Sequence, residues 1–548
     1  MPCEEIGDFR LSDVCAKHNA QLAVVVGVDR VGGFHLASLP ALFLAASFAG
    51  ADTLYWVDTT SYFNADPSGK VNGSNIWDIG RDFSSAEKSQ YSDNYNWATG
   101  YTLQDVTVGD VTYQVPVYEY ATPGAVPNEN TDVYFDFSEF SNGNSTDGYR
   151  HKIGGSPQLS SDVTVKSITI SGPWDNWLMI KTNGYDLTVK EDLIWTDTNV
   201  VTYIGQNSES NLTVGGTIYL RSGSTSIWNC LRFGYTGVGS IDAGAIKFEQ
   251  QSRIQLATSG AATTFENPQA IVRGLVDFSG YDGRLDLGCR GNSAEQFYSV
   301  GGLSGSNSAA TVSTGAEDTS TGINSTLVLA NSADATFTGK VTNALVSTDK
   351  SSIAIDNTVN VVMNGSATQT LSGDNDFRGY VTIQSGTLLL RTASGASHGK
   401  LTLNGGKFGA IGNAAFSSAE WNGGAIGFFN TGEAIAMMTP ETITINGEFA
   451  KTGAGKITVD FNNIDTYDLI DNGKWYDLAI ADLISGFSDE ADDDFIAANL
   501  SSGYADFQWI DSDGGKILQV SFSSVPYPAA VASILGALAL AAAYRKRR

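Results

Sequence analysis

Histidine, cysteine, proline and basic residues are all scarce in this chain, and each shortage argues against a class of function. The 548 residues include 4 His, 4 Cys and 12 Pro, and only 17% are charged. No Cys-x-x-Cys pair or Cys/His cluster has zinc-ligand spacing. Basic residues number 32 against 59 acidic ones, and the formal net charge of −27 opposes a sequence-independent grip on nucleic acid phosphates. The Gly-Gly pairs are followed neither by Lys-Ser nor by a helix, so no phosphate-cradling loop is expected. Asp511-Ser512-Asp513-Gly514-Gly515 and the acidic run from Asp489 to Asp494 offer hard oxygen ligands, yet neither reaches EF-hand spacing with a closing Glu. The first reads as a turn. No nucleophile elbow is present, and His151 and His398, far apart in sequence, both read as surface histidines. No cofactor and no metal are expected.

What is abundant is glycine, at 60 residues, among Ser, Thr, Asn and Asp, with hydrophobic residues at 42% spread in short runs. That is too apolar for a disordered chain and too finely divided for long helices, so many short strands separated by polar turns are expected.

Each end carries a long apolar run. Leu36 to Phe48 reads LASLPALFLAASF, too short to span a bilayer comfortably, and runs into Ala49-Gly50-Ala51. Arg30 and His35 give it a thin basic flank. The pattern is that of a secretory signal with a small-x-small site at Ala49 and Ala51 and cleavage after Ala51. Cys3 and Cys15 would leave with it, and the remaining Cys230 and Cys289 would form one disulfide in an oxidising compartment or stay as two buried thiols. At the other end, Val525-Pro526-Tyr527-Pro528 precedes the apolar stretch Ala529 to Tyr544 and the basic cluster Arg545-Lys546-Arg547-Arg548. A helix of that length nearly crosses a bilayer, and the positive-inside rule leaves the basic cluster in the cytoplasm and the body outside.

Between the ends lie internal repeats. Leu187 opens LTVKEDLIW and Leu212 opens LTVGGTIYL; Val381 opens VTIQSGTLLL, Leu401 LTLNGGKFG, Ala419 AEWNGGAIG and Ile443 ITINGEFA. Period-two alternation puts the apolar side chains of each segment on one side, and a rung this short cannot bury that side alone. Stacked coils bury it, with Gly or Asn at the bends. The expected fold is all-β: a right-handed parallel β-helix, or β-solenoid, with caps and a C-terminal transmembrane sorting helix.

The C-terminal ending resembles the PEP-CTERM sorting signal of bacterial exported proteins, with Tyr527 where that family has Glu. The resemblance implies an exosortase-like sorting enzyme as partner, processing near Pro526 to Pro528, and membrane contact through the C-terminal helix. Leu371 to Leu390, LSGDNDFRGYVTIQSGTLLL, and Lys451 to Phe461, KTGAGKITVDF, resemble the autotransporter-associated β-strand repeat of bacterial surface proteins. No translocator barrel of the autotransporter type is visible after Phe461. The expected organisation is an N-terminal extension and signal peptide over 1–51, an N-terminal cap and first coils over 52–160, β-helix repeats over 161–475, a C-terminal cap over 476–524 and the sorting signal over 525–548. The expected function is that of an exported structural or adhesin-like protein of the cell surface or extracellular matrix, not an enzyme, with extracellular polysaccharide as a partner. The alternative is a secreted carbohydrate-active β-helix, a polysaccharide lyase or hydrolase, whose carboxylates would project from adjacent coils. Neither Asp-Asp nor Asp-x-Arg sets concentrate on any coil in the sequence reading.

Overall fold

The computed structural model describes residues 53–56, 97–108, 111–120, 127–136, 159, 161–171, 178–196, 201–205, 210–225, 229–258, 264–288, 295–314, 324–343, 357–428, 442–462, 473–500 and 502–524. Among them the only helix is Ala491–Asp494; the rest of the regular structure is strand. Nearly all pairing is parallel and joins one coil to the next, as in a β-solenoid.

Three faces make up each coil between 163 and 343. The first contains Val163–Val165, Leu187–Val189, Ala270–Val272, Gln296–Val300 and Asn324–Leu329, and the second contains Ser167–Ser171, Leu193–Thr196, Val276–Asp277 and Ala335–Phe337. Two long strands, Asn211–Arg221 and Ser240–Phe248, bend through the corner and serve both faces. The third face is a separate seven-stranded sheet running from Leu178–Ile180 through Thr202–Ile204, Leu231–Val238, Arg253–Thr258, Arg284–Leu287 and Thr311–Thr314 to Lys340–Val341.

Alternation decides which side chains enter the core. In Leu187-Thr188-Val189 the outer two are buried and the middle one is half-buried, as a pleated strand with one covered side requires. Register then turns these positions into a column: Val163, Leu187, Leu212, Ile241, Ala270, Tyr298, Leu327, Val361, Val381, Leu401 and Ala419 lie side by side in successive coils. Each fully buried Val, Leu or Ile in it contributes about 1.5–3 kcal/mol before entropy. Aromatic rings stack the same way, with Phe248 and Phe278 centroids 4.4 Å apart and Phe278 and Phe337 5.0 Å apart. The corner between the first two faces is lined with glycine because the carbonyl of the coil below comes too close for a side chain: a Cβ on Gly244 would meet the Gly216 oxygen at 2.3 Å.

Coil length changes along the stack. Successive column positions from Leu187 to Leu327 are 25 to 29 residues apart, whereas Val361, Val381, Leu401 and Ala419 are 18 to 20 apart. The short coils have strands on the first two faces only, Val381–Thr392, His398–Leu403 with Lys407–Ala410, and Asn413–Trp421 with Ala425–Phe428.

Two expectations are corrected. The Asn-Gly that AEWNGGAIG and ITINGEFA share predicts Ile443 beside Ala419; instead Ala419 lies beside Phe449, and Ile443 beside Ala414. The register shifts between Phe416 and Ala419, so Asn446-Gly447 sits at a bulge, and the corner approach falls to Gly453, whose Cβ would meet the Asn422 oxygen at 2.3 Å. The parallel stack also runs past residue 475: Tyr476–Ser485 pairs with Thr442–Lys451, and Phe495–Ala498 with Ile457–Asp460. An antiparallel hairpin, Tyr504–Ser512 and Gly515–Ser523, then pairs with Tyr476–Ser485. Asp513-Gly514 is its two-residue turn, with Gly514 at φ 107°, in line with the turn expected there. At the other end, Thr53–Trp56 pairs in parallel with Asp132–Asp136 and antiparallel with the hairpin Trp97–Val108 and Val111–Tyr120.

Candidate functional site

The outer side of the first face gathers residues from four coils. Register sets Phe297 beside Thr326 and Thr326 beside Asn360, and Tyr380 follows, its backbone N–H donating to Asn360 Oδ1 at 3.1 Å. Phe297, Val328 and Val362 are almost fully buried although they point away from the core, because Phe265 and Tyr380 pack on them. Beside this apolar floor stands Glu295. Its Oε1 accepts from Tyr380 OH at 2.6 Å, from Asn360 Nδ2 at 3.1 Å and from the Thr326 hydroxyl. Asn360 Nδ2 also donates to Asn324 Oδ1 at 2.7 Å. Burial, reinforced by the bond to Glu295, pushes the Tyr380 phenol above its usual range, so at neutral pH it is a donor and not a base.

The third face holds a buried ion cluster. Arg253 Nε donates to Asp286 Oδ2 at 2.6 Å, Arg284 Nε to Oδ1 at 2.7 Å and Ser313 Oγ to Oδ1 at 2.8 Å. Burial alone would raise the Asp286 carboxyl, but the two guanidinium groups outweigh it and hold the pKa below the usual range. Arg284-Leu285-Asp286 is thus a charged set concentrated on one coil, contrary to the sequence reading. Complete enclosure among protein partners gives it a structural role.

His398 is also corrected: it is buried, with its ring stacked on Phe377 at a 4.0 Å centroid distance. Nδ1 lies 2.8 Å from the Phe377 carbonyl and carries the proton; Nε2 lies 3.0 Å from Thr392 Oγ1, which in turn accepts the Ala415 N–H at 3.1 Å. Burial pushes its pKa down to about 4, with the Phe377 carbonyl and Asp376 pulling weakly the other way. The short coils close tightly over their third side, which is why this histidine is enclosed.

Other carboxylates knit neighbouring coils. Asp162 Oδ1 accepts the Asp186 N–H at 2.9 Å, Asp186 Oδ1 the Asn211 N–H at 2.8 Å, Asp192 Oδ1 the Thr217 N–H at 2.7 Å and Asp334 Oδ1 the Thr368 N–H at 2.8 Å. In the acidic run, Asp494 is buried against Lys451 Nζ at 3.0 Å, and Asp492 Oδ1 accepts the Phe507 N–H at 2.7 Å. Among the described residues no group of three or more His, Cys, Asp or Glu is placed to hold a metal ion.

Several residues singled out in the sequence lie outside the described residues: Ala49 and Ala51, Val525 to Pro528, the apolar stretch Ala529 to Tyr544, Arg545 to Arg548, His151 and Cys289. Among the described residues no helix is long and apolar enough to cross a membrane. Cys230 is a fully buried free thiol, and burial raises its pKa above the usual range. Glu295, Thr326, Asn360 and Tyr380 were not anticipated. Only the coil register brings them together, and a column extended outward by one residue from Leu327, Val361 and Val381 would have found three of them. In comparisons with known proteins, no family model, curated protein or solved structure matches the chain.

Proposed function

We propose that this chain is an exported structural or adhesin-like β-solenoid of the cell surface or extracellular matrix, its coils wound right-handed as parallel crossovers nearly always are. The observation that carries this reading is the use of carboxylates: Asp162, Asp186, Asp192 and Asp334 bond the backbone of the next coil, and Asp286 bridges two buried arginines. Acidic side chains here hold coils together, and the acidic surface that remains suits a hydrated exterior. The antiparallel hairpin against Tyr476–Ser485 supports it too, since covering a terminal rung suppresses edge-to-edge aggregation of an exported protein. The PEP-CTERM-like ending supplies the anchor, with an exosortase-like enzyme as the sorting partner.

The test compares surface retention of the full chain with that of a chain ending at Ser524. Retention of the full chain alone is expected; equal retention overturns the anchoring role. The alternative of a polysaccharide lyase or hydrolase draws on Glu295, a carboxylate beside an apolar cluster. Its hydrogen-bond partners are a phenol, a hydroxyl and an amide, whereas hydrolysis needs a second carboxyl group across the scissile bond. Incubation with acidic and neutral polysaccharides checks this, and clear turnover would establish the enzyme.

A further inference from the structure

We propose that the outer side of the first face around Glu295 is a subsite for a neutral, hydroxyl-rich glycan, with Glu295 Oε2 as acceptor for sugar hydroxyls and Tyr380 as the wall for the sugar's apolar side. This rests on the surface-display reading and gives it a ligand class. Three observations carry it.

The first is a carboxylate fixed by one oxygen. Thr326, Asn360 and Tyr380, drawn from three different coils, all converge on Oε1 of Glu295, and among the described residues Oε2 has no hydrogen-bond partner. The side chain is half-buried, so this second oxygen is held in place by its neighbours and left for a donor from outside. A group immobilised in advance loses little entropy on binding. The coil-bonding carboxylates Asp162, Asp186, Asp192 and Asp334 accept backbone N–H groups, whereas Glu295 Oε1 is held by three side chains.

The second is the pairing of that oxygen with an apolar floor. Phe297, Val328 and Val362 are buried beneath Phe265 and Tyr380 in a hydrophobic cluster separate from the core, so the half-buried rings of Phe265 and Tyr380 are the apolar surface a ligand meets. An apolar surface with a few placed polar groups at its rim is the usual composition of a small-ligand site. Pyranose rings match it, with C–H groups on one side and hydroxyls around the edge. Charge selects among them. Among the described residues no cation bonds Glu295, and the next outward residue in the column, Lys400, is paired with Glu420. A uronic acid polymer would meet an unpaired carboxylate on a chain of net charge −27, so a neutral glycan is the fit.

The third is where the long connections fall. Between the first and second faces the chain turns within a few residues, as at Gly215-Gly216. In the coils from 240 to 357, which build the site, the longest link of each coil is the one from the third face back to the first, over 259–269, 288–295, 315–323 and 342–357, whereas earlier coils make that link in six residues or fewer. Glu295 ends the second of these and Phe265 lies in the first. Insertions gathered at one edge of a solenoid commonly mark its binding side.

Titration calorimetry on the full chain in detergent tests the subsite, with cellohexaose, xylohexaose and mannohexaose as neutral probes and hexagalacturonate as the anionic one. At least one neutral probe is expected to saturate, with hexagalacturonate at least about tenfold weaker. Glu295→Ala should weaken the neutral probe about tenfold or more, the scale of a hydrogen bond to a charged acceptor. Glu295→Gln keeps an Oε1 for the three internal donors and replaces only the outward oxygen, so it separates loss of binding from loss of folding; it should also weaken binding, with an unchanged melting temperature. The subsite is overturned if no neutral probe saturates, if hexagalacturonate binds as tightly, if neither variant changes affinity, or if shorter products appear. Lost binding with normal surface retention removes the subsite alone; normal binding by a chain that is not retained removes the display reading alone.

Discussion

The coils from 163 to 343 and those from 358 to 428 close the same kind of core in different ways. The wide coils build a third sheet whose strands are buried almost throughout: Arg253–Thr258 at all six positions, Arg284–Leu287 and Thr311–Thr314 at all four. The narrow coils have no third strand, and single polar side chains do its work. Asn375 stands where the sheet stops. Its Oδ1 accepts the Val341 N–H at 2.8 Å, and its Nδ2 donates to the carbonyls of Leu371, Gly373 and Arg391 at 3.1, 2.9 and 2.9 Å. His398 and Thr392 continue that role in the next coils. A β-solenoid can therefore shed a whole sheet midway, provided side chains satisfy the backbone groups that the missing strand would have paired.

The two regions should differ most in their response to Asp286→Ala. It leaves Arg253 and Arg284 buried without their carboxylate and should cost about 3–5 kcal/mol, read from the urea midpoint. Hydrogen exchange should show protection lost over 284–313 and kept over 381–421. Equal loss in both stretches would mean that the two regions unfold as one unit. Next in size is an acid effect confined to the narrow coils. The folded pKa of His398, about 4, lies below the ordinary value of 6.5, so its contribution to stability is complete above that value and is lost as the pH falls toward 4. The difference reaches about 3 kcal/mol at 1.36 kcal/mol per unit. Thermal melts of the wild type and His398→Gln between pH 7 and 4 measure it, and the variant should lack this component of the slope. Asn375→Ala should cost about 1–3 kcal/mol by stranding the Val341 N–H, read by the same melts at pH 7. Smallest is Asp186→Ala on the exposed ladder, expected within about 0.5 kcal/mol.

Strands with one wet side advertise themselves by alternation, so the pairing of Leu187 with Leu212, and of Val381, Leu401 and Ala419, was readable from the repeats. The third sheet was not. Arg253-Ile254-Gln255-Leu256 does alternate, but Arg253 and Gln255 are as buried as Ile254 and Leu256, so the polar positions misreported which side met water. His398 misled for the same reason, an ionisable side chain taken as exposed. The Ile443 alignment failed because an Asn-Gly pair suits a bulge as well as a corner. As for the candidate site, Glu295 and Tyr380 are 85 residues apart and meet only after three coils have been stacked in register.

Val381 and Leu401 occupy equivalent places, as do Gly386 and Gly406 at the corner that follows. Excising twenty residues, or duplicating them, would therefore leave the inward and outward parity of every remaining strand intact. Each such event changes the height of the stack by about 4.8 Å. Over generations, the height of this stack is open to adjustment in whole rungs, by exchange between segments of matching length and parity.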